Sequence, residues 1–194
     1  MQLRVLSYGH AILQQKSSLV DEVGAELRQL IVDMWDTMYA ANGCGLAAPQ
    51  VGRAVNVFVV DSKSTYDALN RRSQKRYYPS NDTGVVETFI NARIVTRSQR
   101  IWTEEEGCLS MPGFVRPVTR AWSVTVNYQD RELKWHSRAF AGMTARMIQH
   151  EYDHVNGVLF TDLLDERRRR ELEPALRDIA AGRVHAAYPL KFPD

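Results

Sequence analysis

The feature that most constrains this chain is the segment from His150 to His154, an H-E-x-x-H pattern in a stretch that predicts a helix. Histidines four residues apart lie on one face of a helix, so both imidazoles can reach the same metal ion. Glu151 is turned away from them, close enough to act on a water without being a ligand. Metal-assisted hydrolysis needs this arrangement. The alternative interpretation of the same residues is a solvated helix that carries two histidines without binding a metal.

The bulk composition bounds the class of protein. The chain has 194 residues, 44% of them hydrophobic and 25% charged, which predicts a single globular domain over 1–194. A net charge of +2 and the lack of a long apolar run argue against DNA or a membrane as the main partner. The N-terminal residues contain no signal or transit peptide, so we expect a cytoplasmic protein. Cys44 and Cys108 are then free thiols or ligands rather than a disulfide.

Apolar spacing and turn residues predict an α+β fold. We expect antiparallel or mixed β-sheets packed around the central metal-binding helix, with an N-terminal helix and a C-terminal helix. The polar segment 62–84, with breakers at 77–82, is expected to be an exposed loop or insertion. The predicted helices cover 22–41, 142–156 (capped by Gly157) and 165–181, and the predicted strands cover 55–60, 85–95, 122–128 and 133–140.

A catalytic site of this kind needs a third protein ligand. One class of H-E-x-x-H proteases continues to a third histidine, but Phe160 stands at that position and cannot bind a metal. Another class uses a downstream glutamate, here Glu171 or Glu173, in a charge-rich stretch where carboxylates normally face solvent. Cys108 is the stronger candidate, because a thiolate binds Fe²⁺, Zn²⁺, Ni²⁺ or Co²⁺. By itself it could equally be a small buried hydrophobic residue.

A glycine-rich segment, G-C-G-L-A-A-P-Q at 43–50, is the third notable pattern. Its small residues would let an extended peptide lie alongside the backbone, and the Gln50 amide could polarise a carbonyl. The alternative is a tight connection from a helix to a strand.

Together the segments at 43–50, 106–110 and 149–154 resemble peptide deformylase of the bacterial type. That family's motifs read G-x-G-L-A-A-P-Q, E-G-C-L-S and Q-H-E-x-D-H, and no fixed position is substituted here. Residues 3–13, the helix leading into Gly43 and residues 157–160 also resemble this family. The segment 62–84 and the C-terminal helix are the least constrained by the resemblance.

The resemblance implies a role for each motif residue. Cys108, His150 and His154 would be the ligands of one divalent metal ion, Fe²⁺ in the cell, with Zn²⁺, Ni²⁺ or Co²⁺ possible in a purified sample. Glu151 would be the general acid and base. The Gln50 side chain and the Leu109 backbone N–H would stabilise charge on the formyl oxygen.

The implied substrate is the N-formyl-methionyl end of a nascent peptide, which would yield formate and a free amine. Gly43, Cys44 and Gly45 would hold the peptide as an added strand. Met143 and Met147, together with Cys44, are candidate walls of a methionine pocket, although ordinary core packing explains two methionines equally well.

Further residues have weaker assignments. Glu106 and Arg120 match a glutamate–arginine pair that supports the family's site from behind, and Asp153 could orient a ligand or a loop. His10, His136 and His185 match no motif and are expected to be ordinary surface or strand histidines. The four arginines at 167–170 could contact ribosomal RNA, but such a run is more often a solvated helix face.

Two other functions remain open at this point. The first is an H-E-x-x-H endopeptidase that uses Glu173 as its third ligand. The second is a catalytically silent ribosome-associated protein, which would be expected to have lost Glu151 or a metal ligand.

Overall fold

The computed structural model describes residues 1–79 and 81–193 and has an α+β architecture. The predicted fold class is confirmed. The strands are β1 (Val5–Leu6), β2 (Gly45–Ala47), β3 (Val57–Asp61), β4 (Val86–Arg97), β5 (Ile101–Cys108), β6 (Met111–Ala121), β7 (Ser123–Gln129), β8 (Trp135–Ala141) and β9 (Leu190–Lys191). The helices are α1 (Ala25–Ala40), α2 (Ser62–Ala68), α3 (Arg71–Tyr77), α4 (Gly142–Val155) and α5 (Glu166–Ala180), with 3₁₀ turns at Ala11–Gln14, Ala48–Val51 and Phe160–Leu163.

The strands form three sheets. An antiparallel five-stranded sheet has the order β2-β3-β4-β7-β8, and β5 and β6 form a separate antiparallel hairpin. The short strands β1 and β9, from opposite ends of the chain, pair in parallel. The polar face of the β5–β6 hairpin explains why no strand was predicted between 101 and 121.

The five-stranded sheet separates α1 from α4, and β3 shows how. Successive residues of a strand point to opposite faces. Phe58 and Val60 pack into the core on the α4 side, whereas Val57 and Val59 pack into the core on the α1 side. Both faces of this strand are therefore buried, and α4 is held firmly against the sheet.

Helix α4 matches the predicted helix within one residue. Gly157 follows it with a φ of +74°, the left-handed conformation expected of the residue that ends a helix. His150, Glu151 and His154 all belong to its last three turns. Among the residues described, no helix is long and apolar enough to cross a membrane.

The prediction of a loop over 62–84 is wrong, because two short helices occupy most of this segment. Each begins at a polar residue that caps it: Asp61 accepts a hydrogen bond from the Ser64 N–H (2.8 Å) and Asn70 from the Ser73 N–H (2.9 Å). Tyr78 is buried and anchors the segment through a hydrogen bond to the Ser62 carbonyl. Ser80, one of the expected breakers, lies outside the described residues.

Candidate metal centre and active site

Three potential metal ligands meet at the end of β5. Cys108 is the last residue of that strand, and His150 and His154 project from adjacent turns of α4. One donor atom from each lies within 4.8 Å of the other two, and Cys108 Sγ is 3.2 Å from His154 Nε2. The structure thus brings together the three ligands predicted from the sequence.

The chemistry of this donor set fits one divalent ion. His150 Nδ1 is 3.0 Å from the Glu106 carboxylate, which leaves Nε2 available for a metal. Burial lowers the pKa of His154 well below its usual range, which favours the neutral imidazole that binds a metal. One thiolate and two imidazoles are ligands that Fe²⁺, Zn²⁺, Ni²⁺ and Co²⁺ accept, and three protein ligands leave a position open.

The alternative third ligands lie elsewhere. Glu171 and Glu173 are exposed on α5, and Glu171 forms an ion pair with Arg167. Phe160, at the position where one protease class has a histidine, packs its ring against His150 with centroids 6.1 Å apart. Within 1–79 and 81–193, Cys108, His150 and His154 are the cluster that could hold a metal.

Glu106 lies behind the centre and is almost fully buried. Its carboxylate accepts hydrogen bonds from Arg120 Nε (2.6 Å) and the Arg120 guanidinium end (2.9 Å), and it also pairs with Arg146. Burial alone would raise the pKa of Glu106, but the hydrogen bonds from His150 and Arg120 outweigh it and lower the pKa to about 2. Glu106 is therefore a fixed negative charge that orients His150.

Two arginines, rather than one, balance this charge. Arg120 was expected here, and it also donates to Asp153 at 2.7 Å, so Asp153 orients Arg120. Arg146 was not predicted from the sequence, although it precedes His150 by four residues and so shares its helix face. Besides contacting Glu106, Arg146 donates to the carbonyls of Trp102 and Val118, each at 2.9 Å.

Glu151 faces the open side of the centre. It is only 5% exposed, and among the described residues its Oε2 has no hydrogen-bond partner. Burial raises the pKa of this carboxyl to about 7, a value suited to proton transfer at neutral pH. A Cβ added at Gly45 would lie 2.8 Å from the Glu151 Cδ, so β2 can pass this carboxyl only with a glycine there.

The Gln50 amide is oriented by the backbone. Its Oε1 accepts from the Ala47 N–H at 2.8 Å, which turns Nε2 toward Cys108 Sγ (3.5 Å) and Ser110 Oγ (3.2 Å). Gln50 is 2% exposed and still borders the cleft. A neutral N–H donor therefore lies beside the thiol, next to the Leu109 backbone.

A cleft of about 490 Å³ opens above these residues. The residues predicted to bind substrate all border it: Gly43, Cys44, Gly45, Met143 and Met147. The two methionines also pack on the core beside the five-stranded sheet, as the core-packing interpretation expects.

The three histidines outside the motifs differ in their position relative to the cleft. His10 bonds the Lys191 carbonyl and His136 lies 2.6 Å from Asp130, both outside the cleft. His185, expected to be an ordinary surface residue, is exposed but borders the cleft. Ala186, Ala187 and Tyr188 line the same wall, and no local signal in the sequence placed this C-terminal segment there.

Comparison with known proteins identifies the family. The family model described as polypeptide deformylase matches residues 2–170. A peptide deformylase from Christiangramia forsetii is 37% identical over 196 residues, which cover 100% of this chain and 97% of that protein. One from Chlorobaculum tepidum is 40% identical over 190 residues, which cover 98% and 94%. The chain belongs to the peptide deformylase family.

Solved structures of peptide deformylases have a fold similar to that of this chain. The crystal structure of the peptide deformylase from Ehrlichia chaffeensis has a TM-score of 0.80 at 29% identity and covers 94% of this chain and 97% of that one. A plant peptide deformylase has a TM-score of 0.79 at 30% identity and covers 93% and 90%. Peptide deformylases are metal-dependent hydrolases that remove the N-formyl group from nascent peptides.

Proposed function

We propose that this chain deformylates N-formyl-methionyl peptides with Cys108, His150 and His154 holding the metal and Glu151 moving the proton. The observation that carries the proposal is the buried Glu151 carboxyl without a partner among the described residues, which borders the cleft beside the three ligands. A divalent ion bound by these ligands would supply a Lewis acid that acidifies water and polarises the formyl oxygen.

Glu151 accepts a proton from the attacking water and returns it to the leaving amine. A positioned general acid–base group typically contributes ~10²–10⁴ in rate. The low exposure of Glu151 keeps bulk water away from its carboxyl, and the lack of a side chain at Gly45 leaves room for this carboxyl.

The Gln50 Nε2–H and the Leu109 N–H stabilise the negative charge that develops on the formyl oxygen. Both groups adjoin Cys108: Gln50 through its 3.5 Å contact to Sγ, and Leu109 as the next residue in the chain. Loss of one such donor typically costs ~10²–10³ in rate.

The cleft supports a peptide substrate with an apolar first side chain. Gly43, Cys44 and Gly45 lie along one edge, where an extended peptide can add as a strand. Met143 and Met147 supply an adaptable apolar surface that suits the unbranched methionine side chain.

We assign Fe²⁺ as the cellular metal and the cytoplasm, where nascent chains emerge, as the compartment. Thiolate and imidazole ligands accept several divalent ions, so the metal obtained on purification depends on supply. Metal analysis of protein isolated without oxygen from its native cells tests the iron assignment, and a full complement of zinc would contradict it.

The reaction is tested by formate release from a formyl-methionyl tripeptide, with the acetyl-methionyl tripeptide as a matched control. The metal-loaded protein should release formate, leave the peptide bonds intact, and act far more slowly on the acetyl analogue. Cleavage of peptide bonds without formate would instead support an endopeptidase. In that case Glu173→Ala, and not Cys108→Ala, would remove the metal.

Ribosome contact through the arginines at 167–170 is a separate proposal. All four are exposed, which RNA binding requires, yet each also pairs with an acidic residue. The pairs are Arg167–Glu171, Arg168–Asp165, Arg169–Asp162 and Arg170–Glu166. Ribosome affinity that falls steeply with salt, and only while the arginines are present, would support the contact. Equal binding by a charge-neutralised variant would exclude it.

A further inference from the structure

The C-terminal segment that follows α5 returns to the active-site cleft. Strand β9 pairs in parallel with β1, and the Val5 N–H and the Ser7 N–H donate to the carbonyls of Pro189 (3.0 Å) and Lys191 (2.9 Å). This pairing fixes the residues immediately before β9, which form one wall of the cleft. They lie beyond residue 170, where the match to the family model ends.

Within that wall, Tyr188 contacts Leu109, in the short loop that joins β5 to β6. Its hydroxyl donates to the Leu109 carbonyl at 2.8 Å, across 79 residues of sequence. Tyr188 is partly buried, so this hydrogen bond is shielded from competing water. Its ring also borders the space where substrate binds.

The loop that Tyr188 holds joins β5 to β6 and has two further anchors. The Gln50 amide donates to Ser110 Oγ at 3.2 Å, and the Tyr8 N–H donates to the Ser110 carbonyl at 2.8 Å. Both anchors act on Ser110, whereas the Tyr188 hydrogen bond acts on Leu109. The Leu109 carbonyl and the Leu109 N–H belong to successive peptide planes that meet at the Leu109 Cα. A hydrogen bond that fixes the carbonyl therefore restricts rotation at this Cα and, through it, the direction of the N–H.

We propose that Tyr188 is a positioning residue for deformylation, which acts through the Leu109 carbonyl to orient the Leu109 N–H toward the formyl oxygen. The inference rests on the proposed function. The pairing of β1 with β9 brings Tyr188, which lies beyond the residues matched by the family model, to the wall of the cleft.

The test compares Tyr188→Phe with Tyr78→Phe. Tyr78 also donates its hydroxyl to a backbone carbonyl, that of Ser62 at 2.9 Å, but it does not border the cleft. Loss of a hydrogen bond that acts mainly in the transition state should lower kcat about 3- to 10-fold and leave KM unchanged. Tyr188→Phe should show this loss at full metal occupancy, and Tyr78→Phe should not.

Hydrogen exchange provides a readout that does not depend on turnover. In Tyr188→Phe, amide exchange should accelerate in the peptide that contains 105–112 and stay at the parent rate in strands β3 and β4. Tyr78→Phe should leave 105–112 unchanged. Tyr188→Ala, which also removes the ring from the cleft wall, should raise KM as well as lower kcat.

The outcomes distinguish a failure of the positioning role of Tyr188 from a failure of the proposed function. A parent protein that releases formate, with unchanged kcat and unchanged exchange of 105–112 in Tyr188→Phe, would overturn the positioning role alone. Equal losses of kcat in Tyr188→Phe and Tyr78→Phe would also overturn it, because a general structural effect would explain both. A metal-loaded parent that releases no formate would overturn the proposed function and this role with it.

Discussion

Two of the regions in which arginine pairs with glutamate differ sharply in exposure. Behind the metal centre, Glu106 is held between Arg120 and Arg146, and all three side chains are at most 5% exposed. On α5, Arg167 pairs with Glu171 one helical turn away, and these side chains are 89% and 61% exposed. The same residue types therefore form a buried cluster in one region and a solvated ladder in the other.

Burial, rather than the number of charges, determines how much an ion pair contributes to structure. A buried charge that loses its partner has no water to replace it, so each member of the cluster is fixed in position. An exposed pair gains little Coulomb energy in water and costs side-chain entropy, so it contributes little to stability. This rigidity lets the buried cluster orient His150, a task that the α5 ladder could not perform.

The largest expected effect is on folding stability. Glu106→Gln removes the negative charge between two buried guanidinium groups and should lower the free energy of unfolding by about 3–5 kcal/mol. Glu171→Gln is the matched exposed control and should change it by less than about 0.5 kcal/mol. Urea unfolding of both metal-free variants measures the difference. Similar losses of unfolding free energy in the two variants would contradict the difference between buried and exposed pairs.

The next effect concerns the close approach of β2 to α4. Gly45→Ala places a methyl group against the Glu151 carboxyl, and a displacement of this group should lower kcat/KM about 10²-fold. Gly24→Ala is the control, because Gly24 has a negative φ and no other heavy atom near its added Cβ among the described residues. Steady-state kinetics on a formyl-methionyl peptide measures kcat/KM for both variants. Equal activity of the two would contradict the inference that a methyl group at position 45 displaces the Glu151 carboxyl.

A third effect links the buried cluster to metal binding. The Glu106 carboxylate contacts His150 Nδ1 at 3.0 Å, which would orient this imidazole and strengthen it as a ligand. Glutamine keeps an acceptor but loses the charge, so Glu106→Gln should bind Ni²⁺ about 10- to 100-fold more weakly than the parent. Competition with a chelator under native conditions measures this. Unchanged affinity would limit Glu106 to a structural role.

The smallest effect is expected on α5. Arg170→Ala removes an exposed pair with Glu166 and should alter the free energy of unfolding by no more than about 0.5 kcal/mol, less at high salt. Urea unfolding at two salt concentrations measures it. A loss comparable to that of Glu106→Gln would show that exposure does not separate the two regions.

The sequence predicted the parts of the site that are local. His150 and His154 lie one helical turn apart, so their spacing alone defines a shared face, and Glu151 is turned away from that face. The glycine-rich segment and the Cys108 segment were placed beside them by resemblance to the family. Helix α4 and its terminal Gly157 were predictable because apolar period and a left-handed glycine are local signals.

Other parts depend on long-range contacts or on weak local signals. Arg146 points inward only because Glu106 of another element lies there to receive it. Tyr188 reaches Leu109 only because the two chain termini pair. Helices α2 and α3 were missed because their polar residues resemble a loop, although the capping residues Asp61 and Asn70 were readable signals.

The most direct test of the account is formate release by the parent and by Glu151→Ala, each loaded with Fe²⁺ or Ni²⁺ without oxygen. We predict rapid release by the parent and a rate lower by ~10²–10⁴ in a variant that retains its metal. A metal-loaded Glu151→Ala protein that releases formate at the parent rate would contradict the role assigned to this carboxyl. A fully loaded parent that releases none would contradict the function itself.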